Sequence, residues 1–120
     1  MARILLADDD QGSLDFVRRA LEMDGHTVMP TQDGNEALDR QTSDGPFDVL
    51  VTDVHMPGLD GISFAGKAPG VQPGIKLLLM SGLADVLDQA RGLESQGVRL
   101  LAKPFPIDKI RSEVHAVLQD

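Results

Sequence analysis

The sequence contains no cysteine, tryptophan or tyrosine, and its aromatic residues are four phenylalanines. Disulfides and thiolate metal sites are therefore excluded, and the missing thiols are compatible with a reducing compartment. So few rings leave an aliphatic core and no broad platform for stacking single-stranded nucleic acid. Positive charge is also scarce: 11 Lys and Arg stand against 19 Asp and Glu, for a formal net charge of −8. A surface of that sign repels nucleic-acid phosphates and anionic lipid heads, so neither is an expected partner. Within the acids glutamate is rare, with 15 Asp to 4 Glu. Aspartate is the poorer helix former and suits caps, turns or cation sites. Long hydrophobic runs are missing as well. The first apolar run stops at Asp8, too short for a signal peptide or a membrane span, and no lipidation signal follows it. The expectation is a soluble, cytoplasmic protein whose 120 residues form one domain, 1–120.

Short apolar runs alternate with helical periodicity along the chain. Ile4–Ala7 reads as a buried strand, and Leu14, Val17 and Leu21 then define a helical face flanked by Phe16 and Ala20, with Gly25 to end it. Thr27–Met29 predicts a second strand and Asn35 to Gln41 a short helix facing inward through Ala37 and Leu38. Asp48–Thr52 is a third strand; Met56–Pro57–Gly58 is a loop; Ile62 to Ala68 is a helix limited by Pro69. Ile75–Met80 and Val98–Ala102 supply two further strands around a helix over Ala84 to Ser95, and Ile107, Ile110, Val114 and Val117 recur at helical spacing. Thr42–Pro46 and Lys67–Gly74 read as turn-rich loops. Five such units predict an α/β fold, a parallel sheet with helices on both faces.

Polar groups collect where the strands end. Asp8 and Asp9 follow the first, Asp53 the third, Ser81 the fourth and Lys103 the fifth. In a doubly wound sheet these carboxyl ends share one rim, where ligand sites gather. Asp8, Asp9 and Asp53 could hold Mg²⁺ with water and backbone oxygens, whereas three scattered histidines offer no comparable soft site. Each residue also has an ordinary reading: Asp8–Asp10 as a helix cap, Asp53 or Ser81 as turn or cap residues, Lys103 as a surface base. Periodicity alone does not choose phosphoryl transfer.

Motif order adds specificity. Leu5–Leu6–Ala7–Asp8–Asp9–Asp10, Thr52–Asp53–Val54–His55–Met56–Pro57–Gly58–Leu59–Asp60–Gly61, Met80–Ser81–Gly82 and Lys103–Pro104–Phe105 resemble the response-regulator receiver, or CheY-like, family over essentially the whole chain. The resemblance implies a doubly wound (βα)5 fold with sheet order 2-1-3-4-5. It implies that Asp53 is the phosphoacceptor and that Asp8, Asp9, Asp53 and the backbone carbonyl of His55 hold Mg²⁺. Lys103 and Ser81 would contact the phosphoryl oxygens, Pro57 and Gly61 would shape the loop, and a cis bond would precede Pro104. Thr52 is assigned a structural role, and Asp10 is an extra acid beside the pair. Two departures stand out. Leu100 occupies the position of the family's switch aromatic, which directs the switch toward a Ser81-centred loop shift. His55 and Leu83 fill the variable positions two residues after Asp53 and Ser81, where they would tune access to the acyl phosphate.

Among single-domain receivers, the Met1–Ala7 start, Leu79–Asp85 and Lys103–Ile110 resemble CpdR-like regulators. That subgroup implies an adaptor for the ClpXP protease in cell-cycle control, disabled by phosphorylation; Leu83 departs from an aromatic expected there. The implied phosphodonor is a histidine kinase or a histidine phosphotransfer protein, and the implied state a monomer or weak dimer that signals without being an enzyme. Met1 directly before the first strand points to a natural single-domain regulator. A phosphorelay carrier, a motor regulator, a receiver excised from a hybrid histidine kinase and a small Mg-dependent phosphatase using Asp53 are the alternatives.

Overall fold

A computed structural model describes residues 1–82 and 98–119. Five parallel strands, β1 (Arg3–Ala7), β2 (Thr27–Thr31), β3 (Val49–Asp53), β4 (Lys76–Ser81) and β5 (Val98–Ala102), form one sheet in the order β2-β1-β3-β4-β5. The described helices are α1 (Gln11–Met23), α2 (Gly34–Asp44), α3 (Gly61–Val71) and α4 (Ile107–Gln119). The expected helix over Ala84 to Ser95 lies outside the described residues, as does Leu83.

Between their ends the central strands β1, β3 and β4 are largely apolar because both faces of the sheet are covered. Side chains alternate between two cores. Ile4, Leu6, Val49, Val51, Leu78 and Met80 pack with Leu14, Val17 and Leu21 of α1 and Ile110, Val114 and Val117 of α4. Leu5, Ala7, Leu50, Leu77 and Leu79 face the other way, onto Ala37 of α2 and Phe64, Ala65 and Ala68 of α3. The apolar faces predicted for the first and last helices are thus the buried ones, except that Phe16 lies 40% exposed and meets Phe105 at a ring-centroid distance of 6.1 Å. Gly25 acts as predicted: at φ +84° it terminates α1, its amide donating to the Glu22 carbonyl and the next, of His26, to Leu21.

Most stated bounds hold to within one residue; three differ by two or more, each for a local reason. The second helix runs a turn further, through Thr42–Asp44, because the Thr42 and Ser43 hydroxyls donate back to Leu38 and Asp39 and Arg40 pairs with Asp44. The third continues past Pro69 to Val71, closed by the Gln72 amide on the Ala68 carbonyl. The second strand extends through Pro30, tolerated because β2 is an edge strand. Both Gly45–Pro46 and Lys103–Pro104 are cis, the second as the family resemblance implied.

Phe64 is fully buried. Phe64→Ala is expected to cost about 3–5 kcal/mol, and Phe16→Ala less than about 1 kcal/mol. Urea unfolding of both variants checks the contrast, and equal losses would contradict this division of core and surface.

Candidate functional site

The parallel register delivers the predicted polar residues to one rim. β1 pairs with β3 so that Ala7 lies beside Thr52, and β3 pairs with β4 so that Asp53 lies beside Met80. Backbone bonds carry this order just past the strand ends: the Asp8 amide donates to the Thr31 carbonyl (3.1 Å), Val54 to Met80 (2.9 Å) and Lys103 to Ser81 (2.8 Å). Asp8, Asp9 and Asp53 consequently bring carboxylate oxygens within 4.8 Å of one another. Asp8 and Asp53 are buried and Asp9 is exposed.

Lys103 closes the cluster. Its Nζ lies 2.9 Å from Asp8 Oδ2 and 3.7 Å from Asp53 Oδ1. The competing reading of Asp8–Asp10 as a helix cap applies only to Asp10, which occupies the cap position of α1 without a side-chain cap bond. Asp8 instead turns inward, accepting from the Asp10 amide through Oδ1 (3.0 Å). Asp10 itself is exposed.

Burial pushes the Asp53 carboxyl up to about 6, and the neighbouring Asp8 and Asp9 charges push the same way, against Lys103 and the Val54 amide. That amide donates to Oδ1 at 3.0 Å, a contact that no motif announces. Three carboxylates facing one ammonium leave the site two negative charges in excess, so a divalent cation with a preference for hard oxygen ligands fits the donor set.

The remaining predicted residues surround this centre. Ser81 is fully buried at the end of β4, and its neighbour across the sheet is Ala102. His55 and Pro57 are exposed on the β3–α3 loop. Gly61 is buried there, and a Cβ on it would lie 2.8 Å from the Val54 Cα and 2.9 Å from the Asp53 carbonyl carbon. Only a residue without a side chain lets α3 start so close to the strand end. Thr52 turns its hydroxyl to the Asp53 carbonyl (2.9 Å), in keeping with a structural role. Pro104 is exposed, and Leu100 packs against the α2–α3 core.

A groove of about 880 Å³ lies at the opposite rim, lined by residues including Ala2, His26, Asp48 and Arg111. Beside Lys103 there is a smaller open hollow of about 260 Å³ between Asp10, Phe16 and Phe105. The larger of these two concavities is thus remote from the acidic cluster. No helix among the described residues is long and apolar enough to cross a membrane.

Residues 4–115 match the family model of the response regulator receiver domain. The response regulator MprA of Mycobacterium tuberculosis is 35% identical over 117 residues, covering 98% of this chain and 50% of that protein. The chain therefore spans about half the length of the first curated relatives it matches. The response regulator receiver protein CpdR of Brucella abortus is 34% identical over 118 residues, 98% of each chain. CpdR is thus among the relatives, as the sequence suggested, but not clearly closer than MprA. Among solved structures, the receiver domain of the Francisella response regulator 1452 superposes with a TM-score of 0.84 at 32% identity, covering 99% of this chain and 98% of that one. A CheY-like receiver from Methanospirillum hungatei gives a TM-score of 0.88 at 25% identity, with coverage of 99% and 94%.

Asp53 ionises near 3.8 when unfolded and at about 6 when folded. Stability conferred by the tighter proton is present below about pH 4 and is lost as pH rises through about 6. The ionised carboxylate is then a cost at neutral pH. Asp53→Asn should raise the stability of the metal-free protein at pH 7 by about 1–3 kcal/mol, and added Mg²⁺ should narrow that gap. Thermal or urea unfolding with and without Mg²⁺ measures it; a destabilised variant would contradict the assigned electrostatics.

Proposed function

Because the chain belongs to the response-regulator receiver family, we propose that Asp53 accepts a phosphoryl group from a phosphohistidine on a histidine kinase or histidine phosphotransfer protein. The family is one of two-component signalling domains rather than conventional enzymes, which sets the small phosphatase aside. The observation that carries the proposal is the meeting of Asp8, Asp9 and Asp53 with the Lys103 ammonium at one rim.

An Asp53 carboxylate oxygen attacks phosphorus as the P–N bond to the donor imidazole breaks. The bond electrons leave with the imidazole, which is released neutral because its other ring nitrogen carries a proton, and the product is an acyl phosphate on Asp53. Asp8, Asp9, Asp53 and the backbone carbonyl of His55 would hold Mg²⁺, which when bound supplies the positive charge that lets an anionic phosphoryl group approach. Lys103, already within reach of Asp53, pairs with a phosphoryl oxygen, and the Ser81 hydroxyl donates to another. Val54 keeps Asp53 oriented through its amide. Water later attacks the acyl phosphate and ends the signal, with access tuned by the exposed His55 and by Leu83.

The output is phosphorylation-sensitive protein binding. With Leu100 in place of a ring, the new contacts at Ser81 would shift the loop that follows it, without an aromatic rotation. The finer reading, an adaptor toward ClpXP, comes from the CpdR-like motifs of the sequence, and the match to CpdR along 98% of both chains is compatible with it. The similarity to MprA at the same level supports a generic receiver equally.

Acetyl phosphate with Mg²⁺ is expected to add one hydroxylamine-labile phosphate per chain, absent in Asp53→Ala. Equal intact-mass labelling of both would sink the assignment. For the switch, Ser81→Ala should still label but lose most of the beryllofluoride-dependent change in partner capture, whereas Leu100→Ala should retain it. Pull-downs in both states, including ClpXP as bait, read this out. A full affinity change in Ser81→Ala would show that another loop carries the signal.

A further inference from the structure

The β3–α3 loop, which bears the His55 carbonyl, is pressed from two sides. Gly61 meets the backbone at Asp53 and Val54 on one side. On the other stands the first turn of α2. An ideal Cβ on Gly34 would overlap the Leu59 carbonyl oxygen and lie 2.8 Å from its carbon and 2.9 Å from the Leu59 Cβ. The next residue touches the same loop: Asn35 Nδ2 would be 2.8 Å from a Cβ on Gly58, whose φ is +73°. Gly34 is buried, and its own φ is not in the left-handed region, so its backbone conformation does not require glycine. The requirement is the close approach of Leu59.

The start of α2 is itself firmly held. Asp33 Oδ1 accepts from the Glu36 amide at 2.7 Å, and Ala37 behind it is fully buried. The loop is also anchored beyond Leu59, where Asp60 caps α3 by accepting from the Ser63 amide at 2.8 Å. A side chain at Gly34 therefore has to move the loop. Ordinary van der Waals contact begins at 3.4 Å, so the Leu59 carbonyl must retreat by more than half an ångström. The His55 carbonyl lies four residues earlier in the same loop, and Mg²⁺, which requires nearly ideal octahedral geometry with oxygens at about 2.0–2.1 Å, tolerates little displacement of a ligand.

We infer that Gly34 is a positioning residue for the Asp53 site: its bare Cα at the start of α2 sets the height of the β3–α3 loop and hence of the His55 carbonyl. The inference rests on the cation-assisted phosphoacceptor reading above. It assigns a role at the site to α2, an element that contributes no side chain to the acidic cluster.

The test uses the full chain with Mg²⁺ alone as probe. Alanine is a better helix former than glycine, so a merely helical role would leave Gly34→Ala folded with wild-type metal affinity. The expected result is altered amide shifts over residues 54–60 in the metal-free variant and Mg²⁺ binding weakened about tenfold. Labelling by acetyl phosphate should recover at saturating Mg²⁺, because the defect lies in the cation's position and not in Asp53. Gly66→Ala, whose added Cβ meets nothing within 4 Å, should behave as wild type. Asn35→Ala, at an exposed position, should give a smaller loss in the same direction.

Failure of the wild type to label on Asp53 would remove the underlying reading. Normal wild-type labelling together with unchanged loop shifts and Mg²⁺ affinity in a folded Gly34→Ala would overturn the inference about Gly34 alone. If Gly34→Ala does not fold, Asn35→Ala decides: wild-type loop shifts and affinity there overturn it equally.

Discussion

The structure turns on an electrostatic imbalance: three carboxylates converge at one rim of the sheet and one ammonium answers them. Lys103 reaches Asp8 at 2.9 Å and Asp53 at 3.7 Å, joining residues 95 apart in sequence. A buried ion pair of this kind is weak support for stability, since desolvation offsets much of the attraction. Its consequence is chemical. Asp53 remains short of compensation, its proton held to about pH 6, and a divalent cation or an altered protonation state is what relieves it.

That imbalance depends on the parallel sheet. Parallel pairing with helical crossovers sends every strand's carboxyl end to the same rim, so the carboxylates of Asp8 and Asp53 and the ammonium of Lys103 converge there without sequence proximity. The two aliphatic cores, one against α1 and α4 and one against α2 and α3, hold the strands in register. Glycine then sets the loop heights. Gly61 admits α3 against the end of β3, and Gly34 admits Leu59 against the start of α2. A densely packed interior transmits such contacts because it has little slack. A methyl group at either position would be felt at the site.

Membership of the receiver family places this chain among signalling domains, and the acidic cluster's position at one rim of the sheet accords with that. Its carboxylates line a rim instead of a closed cavity, and the more voluminous groove lies at the other end of the strands. A phosphoryl group carried on a partner's side chain can reach such a rim. Under the proposed function, specificity resides in the fit of the phosphodonor protein to the surrounding surface.

The sequence by itself determined the fold class and the five strands, and it put Asp8, Asp9, Asp53 and Lys103 where strands end. Apolar runs ending in acids, together with motifs in a fixed order, are local signals that survive without coordinates. Boundaries were less legible. The extension of α2 through Thr42–Asp44 depends on side chains donating back along the helix, and α3 passes Pro69, where local propensity signals a stop. Phe16, expected to flank the apolar face of α1, lies exposed while Ala20 on the same flank is buried, because helical periodicity marks a face but not its edge. Only the tertiary structure decided that Asp8 faces the site while Asp10 occupies the cap position of α1, that the Val54 amide holds Asp53, and that Gly34 lies under Leu59. Each of these is a distance between chain segments or a choice between neighbouring rotamers, set by packing across the sheet and absent from any local pattern of residues.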